Sequence, residues 1–159
     1  MSDTRLLRDQ LVRFLDWEES HVGFDQAVDG LPADKRGARP AGFEHSAWQL
    51  LEHLRIAQED ILDFCLNAQY VHSRHWPDDY WPNDPAPPDA RAWDASIASF
   101  KRDREKMKQV ARETTDLYSS VPTGNEKQTY LRALLLVTDH NAYHLGQLVA
   151  VRRALGEWK

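Results

Sequence analysis

Residues 131–148, LRALLLVTDHNAYHLGQL, form an apolar segment that carries two histidines, His140 and His144. Residues four positions apart lie one turn apart on the same face of an α-helix, with about 5–6 Å between their Cβ atoms, so both imidazoles can reach one metal ion. The helical period places the two rings on one stripe with Ala133, Val137, Gln147 and Val151. Because both rings face inward, their nitrogens need hydrogen-bond partners or a metal.

The HxxxH pair alone leaves two interpretations open. The histidines are either core residues bonded to other side chains, or two ligands of a metal whose third ligand comes from another segment. The zinc-protease motif is excluded, because that motif has a Glu directly after the first His as general base. Asn141 stands at that position here.

The composition predicts one globular domain covering residues 1–159. Hydrophobic residues make up 42% and charged residues 28%, and the length allows a single sizeable core. The net charge of −5 argues against a nucleic-acid partner, which needs a concentrated basic surface. The lone Cys65 can form no internal disulfide and lies on an apolar helix face, so we expect it in the core and not as a nucleophile.

No membrane or secretion signal is present in the sequence. No apolar run is long enough to span a bilayer, and residues 1–10, MSDTRLLRDQ, lack the apolar segment of a secretory signal. We therefore expect a cytoplasmic protein with no membrane partner.

Apolar periodicity predicts an all-α fold of four helices. Helix 1 should begin at Asp3 or Thr4, and its inward positions follow alternating steps of four and three: Leu7, Leu11, Phe14, Glu18, His21, Asp25 and Val28. Because Glu18 and His21 are polar, this end of the helix either frays into solvent or lines a polar cavity.

Helix 2 should begin at Ser46, which forms a capping-box pattern with Gln49, and should run to about Ala68. Its seam keeps the spacing of a helix packed in a bundle: Ala47, Leu50, Leu54, Ala57, Ile61, Phe64 and Ala68. His53 lies at the edge of this seam and should point into the bundle. It is the candidate third imidazole.

A long connection rich in proline and tryptophan should separate helices 2 and 3. Five of the eight prolines lie between residues 70 and 93, which argues against a regular element there. The spacing of His72 and His75 could serve a metal, but beside the prolines we expect both side chains to be exposed.

Helix 3 should run from about Ala92 to Thr114, and helix 4 from about Lys127 to Leu155. Arg104 occupies a seam position of helix 3, where it either snorkels to the edge or holds an anionic ligand. Helix 4 also carries a stripe of small residues opposite the histidines, at Ala142, Gly146, Ala150 and Ala154. We expect a neighbouring helix or a dimer partner against that stripe.

Together these motifs resemble a known family. The segments SAWQLLEHLRIAQ (residues 46–58) and DHNAYHLGQL (residues 139–148) are similar to those of the DinB-like superfamily of four-helix metalloproteins. The resemblance implies an up-down-down-up four-helix bundle, usually a homodimer, with three histidines that bind a divalent metal, commonly zinc or nickel. The implied ligands are His53, His140 and His144. Relatives include thiol-dependent S-transferases and a thiol-dependent maleylpyruvate isomerase, in which the metal is thought to activate a small thiol.

Two functional hypotheses follow. Three imidazoles leave an open coordination position, as in catalytic sites, and zinc, nickel, iron and manganese all suit such donors. The first hypothesis is a metal-dependent enzyme that transfers a low-molecular-weight thiol to a small electrophile, or a hydrolytic relative. The second is a metal-binding or small-ligand-binding stress-response protein without turnover. No residue is assigned as catalytic; the candidates for supporting the ligands or for acid–base chemistry are Glu18, His21, Asp139, Asn141 and Tyr143.

Overall fold

The computed structural model describes residues 2–16 and 20–158, which form helices and connecting segments without a β-strand. The α-helices are α1 (Ser2–Asp16), α2 (Phe24–Val28), α3 (Ala47–Leu66), α4 (Ala92–Glu113) and α5 (Tyr130–Ala154). Short 3₁₀ turns lie at Ala33–Lys35 and Asp78–Tyr80. The predicted all-α class is confirmed. No helix within the described ranges is long and apolar enough to cross a membrane.

The first helix was predicted to continue to Val28, and this is wrong because residues 20–23 are not helical. The helix begins at Ser2, before both of the residues predicted to cap it, and ends at Asp16; α2 then starts after Gly23, whose backbone is extended.

Phe14, predicted to face inward, is 51% exposed, and its neighbour Leu15 is buried instead. From Leu11, which is buried as predicted, a step of four residues reaches Leu15, whereas the predicted step of three reached Phe14, whose side chain points about 100° away from that of Leu15.

Helix α3 follows its sequence signals closely. The Ser46 hydroxyl accepts the backbone N–H of Gln49, and the Gln49 side chain accepts the backbone N–H of Ser46, so the predicted capping box is confirmed. The helix ends at Leu66, two residues before the predicted end at Ala68. Cys65 is buried near this end, and burial raises the pKa of its thiol to about 12, as expected for a core residue.

Helices α4 and α5 also lie close to their predicted ranges. Helix α4 ends at Glu113, one residue before the predicted end, and α5 begins at Tyr130 after Thr129, whose hydroxyl accepts the backbone N–H of Arg132. The small-residue stripe on α5 is not covered by another described helix at Gly146, since an added Cβ there would meet nothing within 4 Å. The neighbouring-helix alternative for this position is therefore wrong.

The contacts between α3 and α4 fix their relative direction. Near the start of both helices, the Ser96 hydroxyl donates to the Glu52 carboxylate. Six residues farther along α3, Gln58 Nε2 donates to the carbonyl of Phe100 at 2.8 Å. Because later residues of α3 meet later residues of α4, the two helices run parallel.

Helix α1 runs in the opposite direction to α4. Arg8 Nη1 donates to the carbonyl of Ala111 at 2.7 Å, whereas Asp16, at the end of α1, lies 2.6 Å from Lys108 Nζ. Asp16 also lies 3.6 Å from Nε of Arg104, which is 8% exposed. Arg104 is therefore held between helices by carboxylates of the chain itself.

Candidate metal centre

Helices α3 and α5 bring the three predicted imidazoles to one point. Nε2 of His53 lies 3.0 Å from Nε2 of His144 and 3.0 Å from Nε2 of His140. The possible ligand atoms of these residues all lie within 4.8 Å of one another. His53 meets His144, whereas Gln58, five residues farther along α3, bonds Asn141, three residues earlier on α5, so these two helices are antiparallel.

Hydrogen bonds on the far side of two rings determine where their protons lie. Nδ1 of His53 lies 3.0 Å from the carbonyl oxygen of Tyr80, and Nδ1 of His144 lies 2.7 Å from Oε1 of Gln147. Since each of these oxygens only accepts hydrogen bonds, each Nδ1 must carry the proton. In a neutral imidazole the other nitrogen, Nε2, then carries a lone pair.

Burial keeps these rings neutral. Desolvation lowers the pKa of His53 from 6.5 to about 3, and that of His144 from 6.5 to about 4, with smaller contributions from the neighbouring histidines. At neutral pH two Nε2 lone pairs therefore face each other at 3.0 Å with no proton between them. Such an arrangement is repulsive unless a cation lies between the nitrogens.

The third ring, His140, is half-buried, and its Nδ1 atom has no hydrogen-bond partner among the described residues. Burial lowers its pKa, while the Asn141 side chain raises it to a lesser degree. Nδ1 of His140 and Oδ1 of Asn141 are both buried, and neither forms a hydrogen bond with a described residue. The Asn141 amide is held from the other side, because its Nδ2 donates to Oε1 of Gln58 at 3.1 Å.

An aromatic stack closes one side of the cluster. Trp81 lies flat against His53, with ring centroids 3.8 Å apart and planes 4° apart. His45 stacks on the opposite face of Trp81, also at 3.8 Å. The segment between α3 and α4 therefore fixes the orientation of the His53 ring through stacking by Trp81 and a hydrogen bond to the Tyr80 carbonyl.

A family model identifies the chain at this point. The model for the DinB superfamily matches residues 16–148, more than four-fifths of the sequence. The chain belongs to the DinB superfamily. The matched range includes all three clustered histidines, and the resemblance seen in the sequence is confirmed. A comparison with curated proteins finds no match.

The cluster does not include every histidine considered in the sequence analysis. His72 and His75 are exposed, as predicted, and neither belongs to the described cluster. His21 is also exposed and lines a separate cavity of about 230 Å³ together with Asp16 and Arg104.

The remaining candidates for supporting roles differ in position. Asp139 is exposed, while Tyr143 is 64% exposed and meets the edge of the His144 ring at 4.8 Å between centroids. Asn141 is buried beside His140. Glu18 lies outside the described residues.

The sequence analysis did not predict His45, Gln58 or the hydrogen-bonding role of Gln147 at this cluster. Gln147 left a signal in the sequence, since it follows His144 by three residues on the same helix face, whereas His45 lies in the segment before α3, where helical spacing predicts nothing. Gln58 left none, because its contact with Asn141 spans 83 residues.

The three rings fit a divalent metal. At Zn–N distances of 2.0–2.1 Å, two ligand nitrogens of a tetrahedral site lie about 3.3 Å apart, close to the 3.0 Å that separates Nε2 of His53 from Nε2 of each of the other two histidines. Metal-ligating histidines almost always donate their other N–H to a carbonyl, carboxylate or water, which His53 and His144 do. Three protein ligands leave a fourth position for a small molecule.

Proposed function

We propose that this DinB-superfamily chain binds one divalent metal ion through the Nε2 atoms of His53, His140 and His144. The facing Nε2 lone pairs of His53 and His144, fixed by donation from each Nδ1, carry this proposal. The alternative of two core histidines bonded to other side chains accounts for the Nδ1 atoms but leaves these two Nε2 atoms against each other. A cation between them would give the Nε2 atom of each of the three rings a partner.

Zinc or nickel is the metal we expect, and iron or manganese is compatible with the same ligands. The site offers three imidazole nitrogens and no thiolate, since the only cysteine lies elsewhere in the core. Imidazole suits zinc, nickel, copper and iron, and affinity order alone does not select among metals in a cell.

For the chemistry, we propose transfer of a low-molecular-weight thiol to a small electrophile, or a hydrolytic variant with water in place of the thiol. When bound, the metal would supply a Lewis acid that lowers the pKa of a thiol or a water at the fourth position. Cys65 cannot provide that thiol, because it is buried and its pKa is raised to about 12. The reacting thiol must therefore come from solution.

The chain's own side chains orient the site and leave one side accessible. Trp81 and the Tyr80 carbonyl hold His53, which is 1% exposed, whereas His140 is only half-buried. Tyr143 is exposed next to His144 and supplies an aromatic surface at the rim. An electrophile that approaches from this side meets the rim before it reaches the three imidazoles.

We further propose that the long helices form a single-domain, up-down-down-up four-helix bundle. Helices α3 and α4 run parallel, while α1 opposes α4 and α5 opposes α3, and these directions support that order. A homodimer is proposed as well, because Gly146, in the small-residue stripe of α5, is uncovered within the described chain.

Elemental analysis of protein purified without a histidine tag tests the metal proposal. We expect about one equivalent of metal per chain, and loss of most of it in His53→Ala and His144→Ala. His72→Ala is the matched control, since this exposed histidine lies outside the cluster. Equal metal content in His53→Ala and the unaltered protein would refute the proposal.

Thiol transfer needs its own assay. The metal-loaded protein is incubated with L-cysteine, glutathione or 2-mercaptoethanol and 1-chloro-2,4-dinitrobenzene; a C–S bond forms, chloride leaves, and the thiol proton passes to buffer. We expect metal-dependent conjugation with at least one thiol. Stoichiometric metal without conjugation by any of them would instead support a metal-binding or small-ligand-binding protein without turnover.

A further inference from the structure

A second cavity lies beside the histidine cluster, in the groove between α3 and α5. Its volume is about 510 Å³, which is in the range of small-molecule sites. Leu136, which lines the cavity, lies one turn before His140 on α5. Asp60, which also lines it, lies two turns after His53 on α3. At 1.5 Å per residue, these steps are about 6 Å and 10 Å.

The groove has an apolar wall that remains accessible. Ile61 and Phe64 from α3 are half-buried, and Leu136 from α5 is 41% exposed. An apolar body placed against these side chains would remove them from water, which is favourable in proportion to the area covered.

The acidic group of the groove is already engaged. The two carboxylate oxygens of Asp60 accept hydrogen bonds from the hydroxyls of Tyr70, at 3.1 Å, and Tyr80, at 2.6 Å. His72 lies close to the same carboxylate, at 3.9 Å, and bonds Tyr70. Asp60 therefore belongs to a closed network that also contains Tyr80, whose carbonyl holds His53.

The basic group of the groove is not engaged. Arg132 lines the cavity from α5, is exposed, and its guanidinium forms no ion pair with any described residue. The lining thus combines one unpaired positive charge with an apolar wall, and the three imidazoles lie beyond the far end.

We infer that this groove binds a small elongated molecule with an apolar body and a terminal oxyanion, which Arg132 holds while the opposite end points toward His140. This inference deepens the proposed function, since it names the substrate class of the same site. Binding to the groove does not require the metal, however, so the two proposals are tested separately.

Two fluorescent probes that share one apolar body test the inference. 8-Anilinonaphthalene-1-sulfonate carries a sulfonate, and N-phenyl-1-naphthylamine lacks it. We expect saturable binding of the sulfonate at one site per chain, weakened about tenfold in Arg132→Gln because a charge-assisted hydrogen bond is lost. Binding of the neutral probe should not change in that variant.

The control variants distinguish binding at this groove from non-specific binding of the probes. Arg153→Gln removes an exposed arginine at the other end of α5 and should bind both probes like the unaltered protein. Leu136→Asp should weaken both probes, with circular dichroism confirming that the variant folds. The unaltered protein stripped of metal with EDTA should bind the sulfonate unchanged, which keeps this test independent of the metal proposal.

Two results would overturn the inference. One is equal affinity for the sulfonate in Arg132→Gln, Arg153→Gln and the unaltered protein. The other is a dimer that Leu136→Asp converts to a monomer by size-exclusion chromatography, since a second copy of the chain would then cover the groove.

Discussion

Replacement of Gln147 by Leu removes the acceptor that fixes the proton of His144 on Nδ1. The bond is short, 2.7 Å from Nδ1 to Oε1, and His144 is 8% exposed, so its N–H would be left with little access to another partner. Loss of such an outer hydrogen bond typically weakens metal binding 10- to 100-fold, which is about 1.4 to 2.7 kcal/mol. Because Gln147 is only half-buried, water replaces part of the interaction, and we expect about tenfold.

Competition of the purified protein with a chromophoric zinc chelator at fixed pH measures this change. Gln147→Glu is the informative partner variant, because a carboxylate still accepts the Nδ1 proton and raises the basicity of the ring; its affinity should equal or exceed that of the unaltered protein. Gln109→Leu, an exposed position on α4, is the matched control and should leave zinc affinity unchanged.

The assigned proton position on His144 is wrong if Gln147→Leu folds normally and binds zinc as tightly as the control. It is also wrong if Gln147→Glu and Gln147→Leu are equally weakened, since only a loss of the acceptor distinguishes them.

Three further outcomes are expected. In the metal-free protein, the folded-state pKa values of His53 and His144, about 3 and about 4, lie below the ordinary value of 6.5. As the pH falls, the unfolded chain therefore takes up protons before the folded chain does. The free energy of unfolding is unaffected by these groups above pH 6.5 and decreases as the pH drops toward 4, by up to about 1.4 kcal/mol per pH unit for each histidine. Urea unfolding at pH 7, 6 and 5 measures this change, and a free energy of unfolding that does not vary with pH would contradict it. Asn141→Ala leaves the Gln58 amide oxygen without its hydrogen-bond donor, so the free energy of unfolding should fall by about 1–3 kcal/mol. Zinc affinity should also weaken. A loss of stability with unchanged zinc affinity would assign Asn141 to the core and not to the site. Trp81→Ala opens one face of His53 to water, which should raise the pKa of that ring toward 6.5 in an NMR titration, and an unchanged pKa would mean that Trp81 does not desolvate it.

Most of the helical framework could be predicted from local patterns. The capping box at Ser46 and the apolar period of α3 and α5 depend on residues within a few turns of one another, and the structure keeps them within three residues of the predicted ends. The prediction for the first helix was wrong because it used only the apolar period, which does not distinguish Phe14 from Leu15. Their exposure depends on what packs against α1.

In the candidate site, too, the local features were predictable from the sequence and the long-range ones were not. The spacing of His140 and His144 follows from helix geometry, and the residues of the chain alone pointed to His53 as the third ring. The proton on each ring, by contrast, depends on acceptors that only folding supplies, such as the Tyr80 carbonyl, 27 residues from His53. Sequence determines which donor atoms share a helix face, because that relation is local; tertiary packing decides which nitrogen keeps its lone pair, because that relation depends on distant backbone and side-chain atoms.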